Sequence, residues 1–270
     1  MTGDATALPS LYIPHGGGPC FFMDWTMGPA DTWDVMRDWL GGLLVTLPAR
    51  PERLLVVSAH WECPVPTVGT AAAPDLIYDY YNFPEHTYRL AWPAPGDPQL
   101  ADRVGALLAD AGLPHAADPD RGFDHGVFVP LKVAVPEADI PTVALSLSGD
   151  LDAATHLAVG RALAPLRSEG VLIVGSGMSY HNLRQLFSGQ DIAESDIFDA
   201  WLTETMEAEP AERERRLVDW VNAPAARTAH PREEHLAPVF VAAGAAAASP
   251  ARRIFTDRVM GAQVSAFSFG

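Results

Sequence analysis

The sequence is poor in cysteine, in positive charge and in long apolar runs. Its two cysteines, Cys20 and Cys63, are too few for a disulfide scaffold and are typical of a reducing compartment. Residues 1–9 lack the basic start and apolar core of a signal peptide. No apolar run reaches the length of a membrane span. We therefore expect a cytoplasmic protein without a membrane partner.

Positive charge is scarce because lysine is almost absent. Lys132 is the single lysine among 18 basic residues, against 34 acidic residues, so the net charge is −16. An acidic surface of this kind repels nucleic acid and anionic membranes, and we expect neither as a partner. At 270 residues and 48% hydrophobic content the chain can bury a sizeable core. It shows no repeat or linker, so we expect a single domain over 1–270.

Three apolar segments each lead into a histidine. They are Ser10–Pro14 before His15, residues 54–59 before His60, and Val171–Gly177 before His181. Short runs of this type are typical of strands buried on both faces within a parallel sheet. Open α/β sheets form their sites at the carboxyl ends of such strands. One histidine there is most often structural, whereas three together favour a metal site.

The rest of the chain alternates helical and extended patterns. Helices are predicted after Asp31 and at 97–112, 153–166, 196–208, 211–221 and 239–247, and further strands at 67–70, 142–147 and 262–269. The segment 121–132, which contains His125, is expected to be non-helical. The aromatic segment 78–88 could wall a pocket or pack as a lid on the core. These patterns predict an α/β fold with a central, mostly parallel or mixed sheet flanked by helices.

The histidines also suggest which metal chemistry the chain could support. Divalent first-row metals bind imidazole readily, and three ligands leave positions open for substrate or water. His15 and His60 are the firmest ligand candidates because each follows a strand. The third ligand is expected from the cluster Glu233, Glu234 and His235. His181 is then available as an acid or base, since histidine titrates near neutral pH.

Several motifs together resemble one family. They are His15 followed by Gly16, Gly17 and Gly18; Ser58, Ala59, His60, Trp61 and Glu62; Asp124, His125 and Gly126 with Pro130 and Leu131; Gly175, Ser176 and Gly177 before Tyr180 and His181; and His230 and Pro231 before Glu234 and His235. These motifs span nearly the whole chain in the family's order. The chain resembles the class III extradiol ring-cleaving dioxygenases, and within them the DOPA-dioxygenase-like subgroup.

The resemblance implies a non-haem Fe(II) site that cleaves a catechol with incorporation of both atoms of O2. It implies His15, His60 and His235 as metal ligands, His181 as the acid–base residue, and His125 as a substrate contact. Tyr180 and His230 are further substrate-binding candidates from the same motifs. The expected substrate is a substituted catechol, such as a dihydroxyphenyl compound with an acidic side chain.

The third ligand position departs from the pattern of many relatives. They bind iron through two histidines and a carboxylate, whereas here His235 matches that position and Glu234 stands beside it. Three neutral ligands leave more positive charge on the metal than two histidines and a carboxylate do. We therefore expect the site to hold Zn(II) as well as Fe(II). His181 could be an additional ligand when substrate is absent.

Two alternatives to a dioxygenase remain at the level of sequence. One is a zinc-binding protein of the same fold without turnover, and the other is a zinc hydrolase. The presence of both His125 and His181 favours an enzyme, because a purely structural metal site needs neither. A homo-oligomer is left open.

Overall fold

A computed structural model describes residues 7–246 and 248–270 of the chain. Its strands form one eight-stranded sheet in the order β4-β3-β5-β2-β6-β1-β8-β7. They are β1 (Ser10–Pro14), β2 (Arg53–Cys63), β3 (Thr67–Gly69), β4 (Ala116–Asp118), β5 (Thr142–Ser148), β6 (Val171–Gly177), β7 (Ala251–Val259) and β8 (Ala262–Phe269). The predicted α/β class with a mixed sheet is confirmed.

The four middle strands of the sheet are parallel, and on each side the next strand runs antiparallel to them, although the edge strand β4 pairs in parallel with β3. Strands β5, β2, β6 and β1 pair in parallel, with Leu55 of β2 opposite Ile173 of β6. On one side β8 and β7 form an antiparallel hairpin, and on the other β3 runs antiparallel to β5. The four parallel strands are almost fully buried, which explains their continuous apolar runs. Their carboxyl ends therefore meet at one edge.

Helices pack against both faces of this sheet. They are α1 (Asp34–Gly41), α2 (Pro98–Asp110), α3 (His125–Ala134), α4 (Ala153–Leu163), α5 (Leu183–Leu186), α6 (Ala193–Glu207), α7 (Pro210–Val218), α8 (Ala226–Ala229) and α9 (Ala237–Ala245). Successive residues of β6 point to opposite faces of the sheet. Gly175 lies against Pro238 of α9, whereas the hydroxyl of Ser176 donates a hydrogen bond to the carbonyl of Gly126 in α3. Helix α9 is buried along its length between the sheet and α4.

Two predictions about elements are wrong. Residues 125–134 form helix α3, although Gly126 and Pro130 favoured a non-helical segment. Asp124 caps this helix by accepting a hydrogen bond from the backbone N–H of Val127. Strand β2 does not end at His60 but continues to Cys63. Strands β4 and β7 were not predicted.

Other boundaries shift by a few residues, as expected for element ends. The α-helix predicted at 153–166 ends at Leu163 and continues as a 3-10 helix, and the predicted end of the last helix at 247 lies outside the described residues. The presence of all described strands in one sheet supports the predicted single domain. Among the described residues, no helix is both long enough and apolar enough to cross a membrane.

Candidate metal centre and catalytic cavity

Strand geometry brings distant histidines to one edge of the sheet. His15 directly follows β1, and its N–H donates to the carbonyl of Gly177 at the end of β6. His60 lies within β2, where the pairing with β5 shifts register between Val57 and Glu62. A bulge of this kind bends the strand and redirects a side chain, a common device beside active sites. His60 thereby projects into the site although its strand continues.

Three imidazoles converge at this edge. His15, His60 and His235 each offer one ligand atom, and these atoms lie within 4.8 Å of one another. The Nε2 atoms of His15 and His60 are 3.2 Å apart. His60, Asp79 and His125 form a neighbouring group of donor atoms, and so do His181, Glu234 and His235. Nitrogen donors at this spacing fit a divalent transition metal.

The orientation of His15 depends on helix α3. Pro130 has no N–H, so the carbonyl of Gly126 one turn earlier has no helical partner. The hydroxyl of Ser176 donates to this carbonyl and lies 3.2 Å from Nδ1 of His15. Because the hydroxyl proton is already used, Ser176 accepts from Nδ1–H of His15. That contact leaves Nε2 of His15 as the free donor atom.

Asp79, in the aromatic segment, orients two further imidazoles. Its Oδ1 accepts from the backbone N–H of His125 and contacts the Nδ1 of His125, both at 2.9 Å. Its Oδ2 lies 3.6 Å from Nδ1 of His60. Asp79 was not among the functional residues predicted from the sequence. The only signal was an acidic side chain among the tyrosines of 78–81.

Glu234 stands behind the last two histidines. Its Oε1 is 3.0 Å from Nδ1 of His235 and 3.2 Å from Nδ1 of His181. The rings of His181 and His235 stack with centroids 3.3 Å apart. Glu234 therefore contacts the outer nitrogens of both rings, and each ring keeps its Nε2 free.

The backbone of His235 is anchored at the end of β6. Its carbonyl accepts from the hydroxyl of Tyr12 at 2.7 Å and from the N–H of Met178 at 3.1 Å. A Cβ atom at Gly177 would lie only 2.1 Å from this carbonyl oxygen. Glycine at position 177 is thus required for the segment before α9 to approach the sheet.

Burial favours the neutral form of His15, His60 and His235. It lowers the pKa of His15 and His235 well below the usual histidine value, and the neighbouring imidazoles lower it further. Burial likewise lowers the pKa of His60 to about 3, with a contribution from His125. Burial opposes the shift at Asp79, but contacts with His125 and His60 hold the pKa of that carboxyl below its usual value. Neutral imidazoles are the form that binds metal.

These histidines line a cavity of about 510 Å³. His15, His60, His125, His181 and His235 share its wall with the glycine loop 16–18, part of the aromatic segment, and a group of apolar side chains. Gly16 and Gly18 adopt φ values of 85° and 55°, which a glycine tolerates best. The aromatic segment therefore forms a wall of this cavity, one of the two roles expected for it.

Two of the predicted substrate-binding residues lie behind the cavity wall. Tyr180 is fully buried, its hydroxyl donates to Gln185, and burial raises its pKa to about 12. His230 is also fully buried, with Nε2 bonded to the carbonyl of Ser179 at 3.0 Å. Neither belongs to the cavity lining. Tyr180 directly precedes His181 and His230 shortly precedes His235 in the chain, but both side chains are buried in the core.

The match with known proteins covers most of the chain. Residues 30–268 match the family described as the catalytic LigB subunit of aromatic ring-opening dioxygenase. This chain belongs to that family, the class III extradiol dioxygenases. As in other members, its ring-opening chemistry depends on a metal, and the clustered imidazoles are suited to bind one.

Individual relatives agree with the family. The chain is 40% identical to dioxygenase tasH of Hapsidospora irregularis, over 97% of this chain and 85% of that protein. It is 43% identical to a 4,5-DOPA dioxygenase extradiol of Portulaca grandiflora, over 87% of this chain and 85% of that protein. A crystal structure of an uncharacterized Escherichia coli K12 protein matches with a TM-score of 0.78 and 29% identity, covering 97% of this chain and all of that one.

Proposed function

We propose that this ring-opening dioxygenase uses Fe(II), held by His15, His60 and His235, to cleave a substituted catechol beside its hydroxyl pair. The observation that carries the proposal is the convergence of three neutral imidazoles on the wall of a cavity that His125 and His181 also line. Zn(II) fits the same nitrogen donors. A ferrous ion in this site supplies the electron transfer between the catechol and O2 that side chains cannot.

We assign the proton transfers to His181. Its Nδ1 contacts Glu234, which leaves Nε2 free, and the carboxylate stabilises the ring when it becomes protonated. Nε2 takes a proton from a catechol hydroxyl and later returns one to an oxygen of the product. His125 lies on the same wall with its Nδ1 held by Asp79, so its free Nε2 can donate to a substrate oxygen.

The test of function is oxygen uptake by the reconstituted enzyme. Protein loaded anaerobically with ferrous iron is mixed with a panel of catechols, and O2 consumption and the absorbance of the ring-opened product are followed. We expect uptake with at least one catechol and little uptake after loading with zinc. Absence of uptake across the panel would reject the proposal.

The third ligand is tested by metal analysis. We expect His235→Ala to lose most of its iron after reconstitution, because it removes a donor atom. Glu234→Ala should retain more iron than His235→Ala, because Glu234 only orients His235 and His181. The reverse pattern would make Glu234 the ligand and contradict the assignment.

A further inference from the structure

A second cavity adjoins the catalytic one. It has a volume of about 860 Å³ and lies between the start of α1, the segment 186–191 and the β7–β8 turn. Both cavities are lined by Met27, Leu186, Phe187 and Met260. Met27 and Phe187 are 44% and 58% exposed, so flexible or exposed side chains form the boundary. These side chains therefore separate the two cavities, and Met27 and Phe187 are the exposed part of the boundary.

The catalytic cavity is larger than a catechol ring requires. Its volume of about 510 Å³ lies within the range of about 300–1,000 Å³ that holds drug-sized ligands. The part away from the imidazoles is lined mainly by aromatic and apolar side chains, including Trp25, Trp33 and Phe83. Such a wall favours a substituent with substantial apolar surface.

Charge on both cavity walls disfavours a carboxylate on that substituent. Within the described chain, the catalytic cavity has no arginine or lysine in its lining, and Asp79 is its one acidic residue. Lys132 instead donates to the carbonyl of Ala91 at 2.8 Å. The second cavity carries Asp31, Asp191 and Asp257.

Arg258 is the one cation on the wall of the second cavity, again among the described residues. Its guanidinium pairs with Asp196 and donates to the carbonyl of Gly261 at 3.0 Å. It is therefore already neutralised. Among the described residues, a carboxylate on the substituent would therefore find no unpaired cation on either cavity wall.

We infer that the natural substrate is a catechol whose substituent is apolar and carries no negative charge, and that this substituent passes Met27 and Phe187 into the second cavity. This inference rests on the proposed function. It replaces the acidic side chain expected from the sequence. Ring cleavage is unchanged, because the substituent lies away from the imidazoles.

The test uses three substrates that differ only in the substituent. They are 3-(3,4-dihydroxyphenyl)propanoate, its methyl ester and its hexyl ester, compared by kcat/KM for O2 uptake with the iron-loaded enzyme. We expect the methyl ester to exceed the acid at least tenfold, and the hexyl ester to equal or exceed the methyl ester. An acid as good as its methyl ester, or a hexyl ester much poorer than the methyl ester, would overturn the inference. No uptake with any of the three by an enzyme that consumes O2 with another catechol of the panel would also overturn the inference, whereas no uptake with any catechol would reject the proposed function.

Two variants test the route into the second cavity. Val35 is 56% exposed and lines only the second cavity, so Val35→Trp should lower the ratio of hexyl to methyl kcat/KM about fivefold. Val45, 88% exposed and outside both cavities, is the matched control, and Val45→Trp should leave the ratio unchanged. Equal ratios in the two variants would contradict this route.

Met27→Arg supplies the missing cation at the boundary. It should raise kcat/KM for the acid relative to the methyl ester, because the guanidinium pairs with the carboxylate. Circular dichroism and thermal unfolding verify that each variant is folded. A folded Met27→Arg enzyme with no change in this ratio would show that the substituent does not pass this side chain, against the inference.

Discussion

Each imidazole of the metal centre is oriented by an oxygen atom behind it. Ser176 contacts His15, Asp79 contacts His60 and His125, and Glu234 contacts His181 and His235. These contacts fix the outer nitrogen of each ring, so that the inner nitrogen faces the cavity. Mutation of a partner of this kind commonly lowers metal affinity or activity about 10–100-fold, an effect as large as that of losing some ligands. Single-residue changes behind the rings therefore have large expected effects.

Asp79→Asn tests whether a contact behind the rings orients the imidazoles, at a residue that was not predicted from the sequence. The change removes the negative charge that holds His125 and His60, so we expect kcat/KM for a catechol to fall about 10–100-fold. Bound iron should fall by a smaller factor, because the contacts that orient His15 and His235 are unchanged. Steady-state oxygen uptake and metal analysis measure the two effects.

The control for this change is Asp102→Asn, on the exposed side of α2. It removes the same charge outside both cavities and should leave activity within about twofold of the parent, since surface substitutions usually have small effects. Similar losses in both variants would assign the effect to net charge and not to imidazole orientation.

At the scale of elements, the site depends on how closely α3 and α9 approach the sheet. Gly126 of α3 lies against Ser58, and Gly177 of β6 lies against the segment before α9. These glycines leave no space for a side chain. The helices can then deliver Asp124, His125 and His235 to the edge where β1 and β6 end.

Gly177→Ala should disturb this approach. Its new Cβ would lie 2.1 Å from the carbonyl oxygen of His235, so backbone must move. Overpacking of this type costs about 1–3 kcal/mol, and we also expect weaker iron binding because His235 shifts. Chemical unfolding and metal titration measure both quantities.

Gly41→Ala is the matched control at the end of α1. A Cβ atom added at Gly41 would have no neighbouring atom within 4 Å. A glycine within a helix lowers the free energy of unfolding by about 0.5–1 kcal/mol relative to alanine. This variant should be as stable as the parent or slightly more stable, with normal iron binding. If Gly177→Ala behaves like Gly41→Ala, the close approach does not position His235.

At the scale of the whole molecule, five buried or partly buried histidines tie stability to pH. Burial lowers the pKa of each of them: His15, His60, His156, His230 and His235. In the unfolded chain they titrate near 6.5. As pH falls below that value the unfolded state gains protons that the folded state does not take up, so folding stability declines.

We expect the free energy of unfolding of the metal-free protein to be highest above pH 6.5 and to fall as the solution is acidified. One such histidine contributes a slope of up to about 1.4 kcal/mol per pH unit, and five together should give a steeper one. Urea unfolding at several pH values between 7 and 5 measures it. A slope near zero would mean that these histidines are protonated in the folded protein.

His156→Gln isolates one contribution to this slope. In the folded protein Nδ1 of His156 donates to the carbonyl of Asp152 at 2.7 Å, and Nε2 accepts from the N–H of Ser148 at 3.1 Å. Protonation would destroy the second bond. The variant should be less stable at pH 7 but should show a shallower decline with acid. An unchanged slope would contradict the assignment for His156.

Much of the fold could be predicted because its signals are local. Strands β1 and β6 follow from apolar runs, and α2 follows from a helical stripe that begins after Asp97, whose side chain caps it. Helix α3 could not be predicted, because Gly126 and Pro130 oppose a helix locally. Its bonds to Ser58 and Ser176 come from other strands.

The sequence by itself determined the α/β class, the family and the identity of the five histidines that line the cavity, because each depends on residue types in a fixed order. The tertiary structure decided which oxygen stands behind each ring, that Tyr180 and His230 lie behind the wall, and that no arginine or lysine of the described residues lines the catalytic cavity. These features depend on contacts such as that of Tyr12 with His235, which are 223 residues apart. Packing of the whole sheet and its helices sets such distances, and no local pattern encodes them.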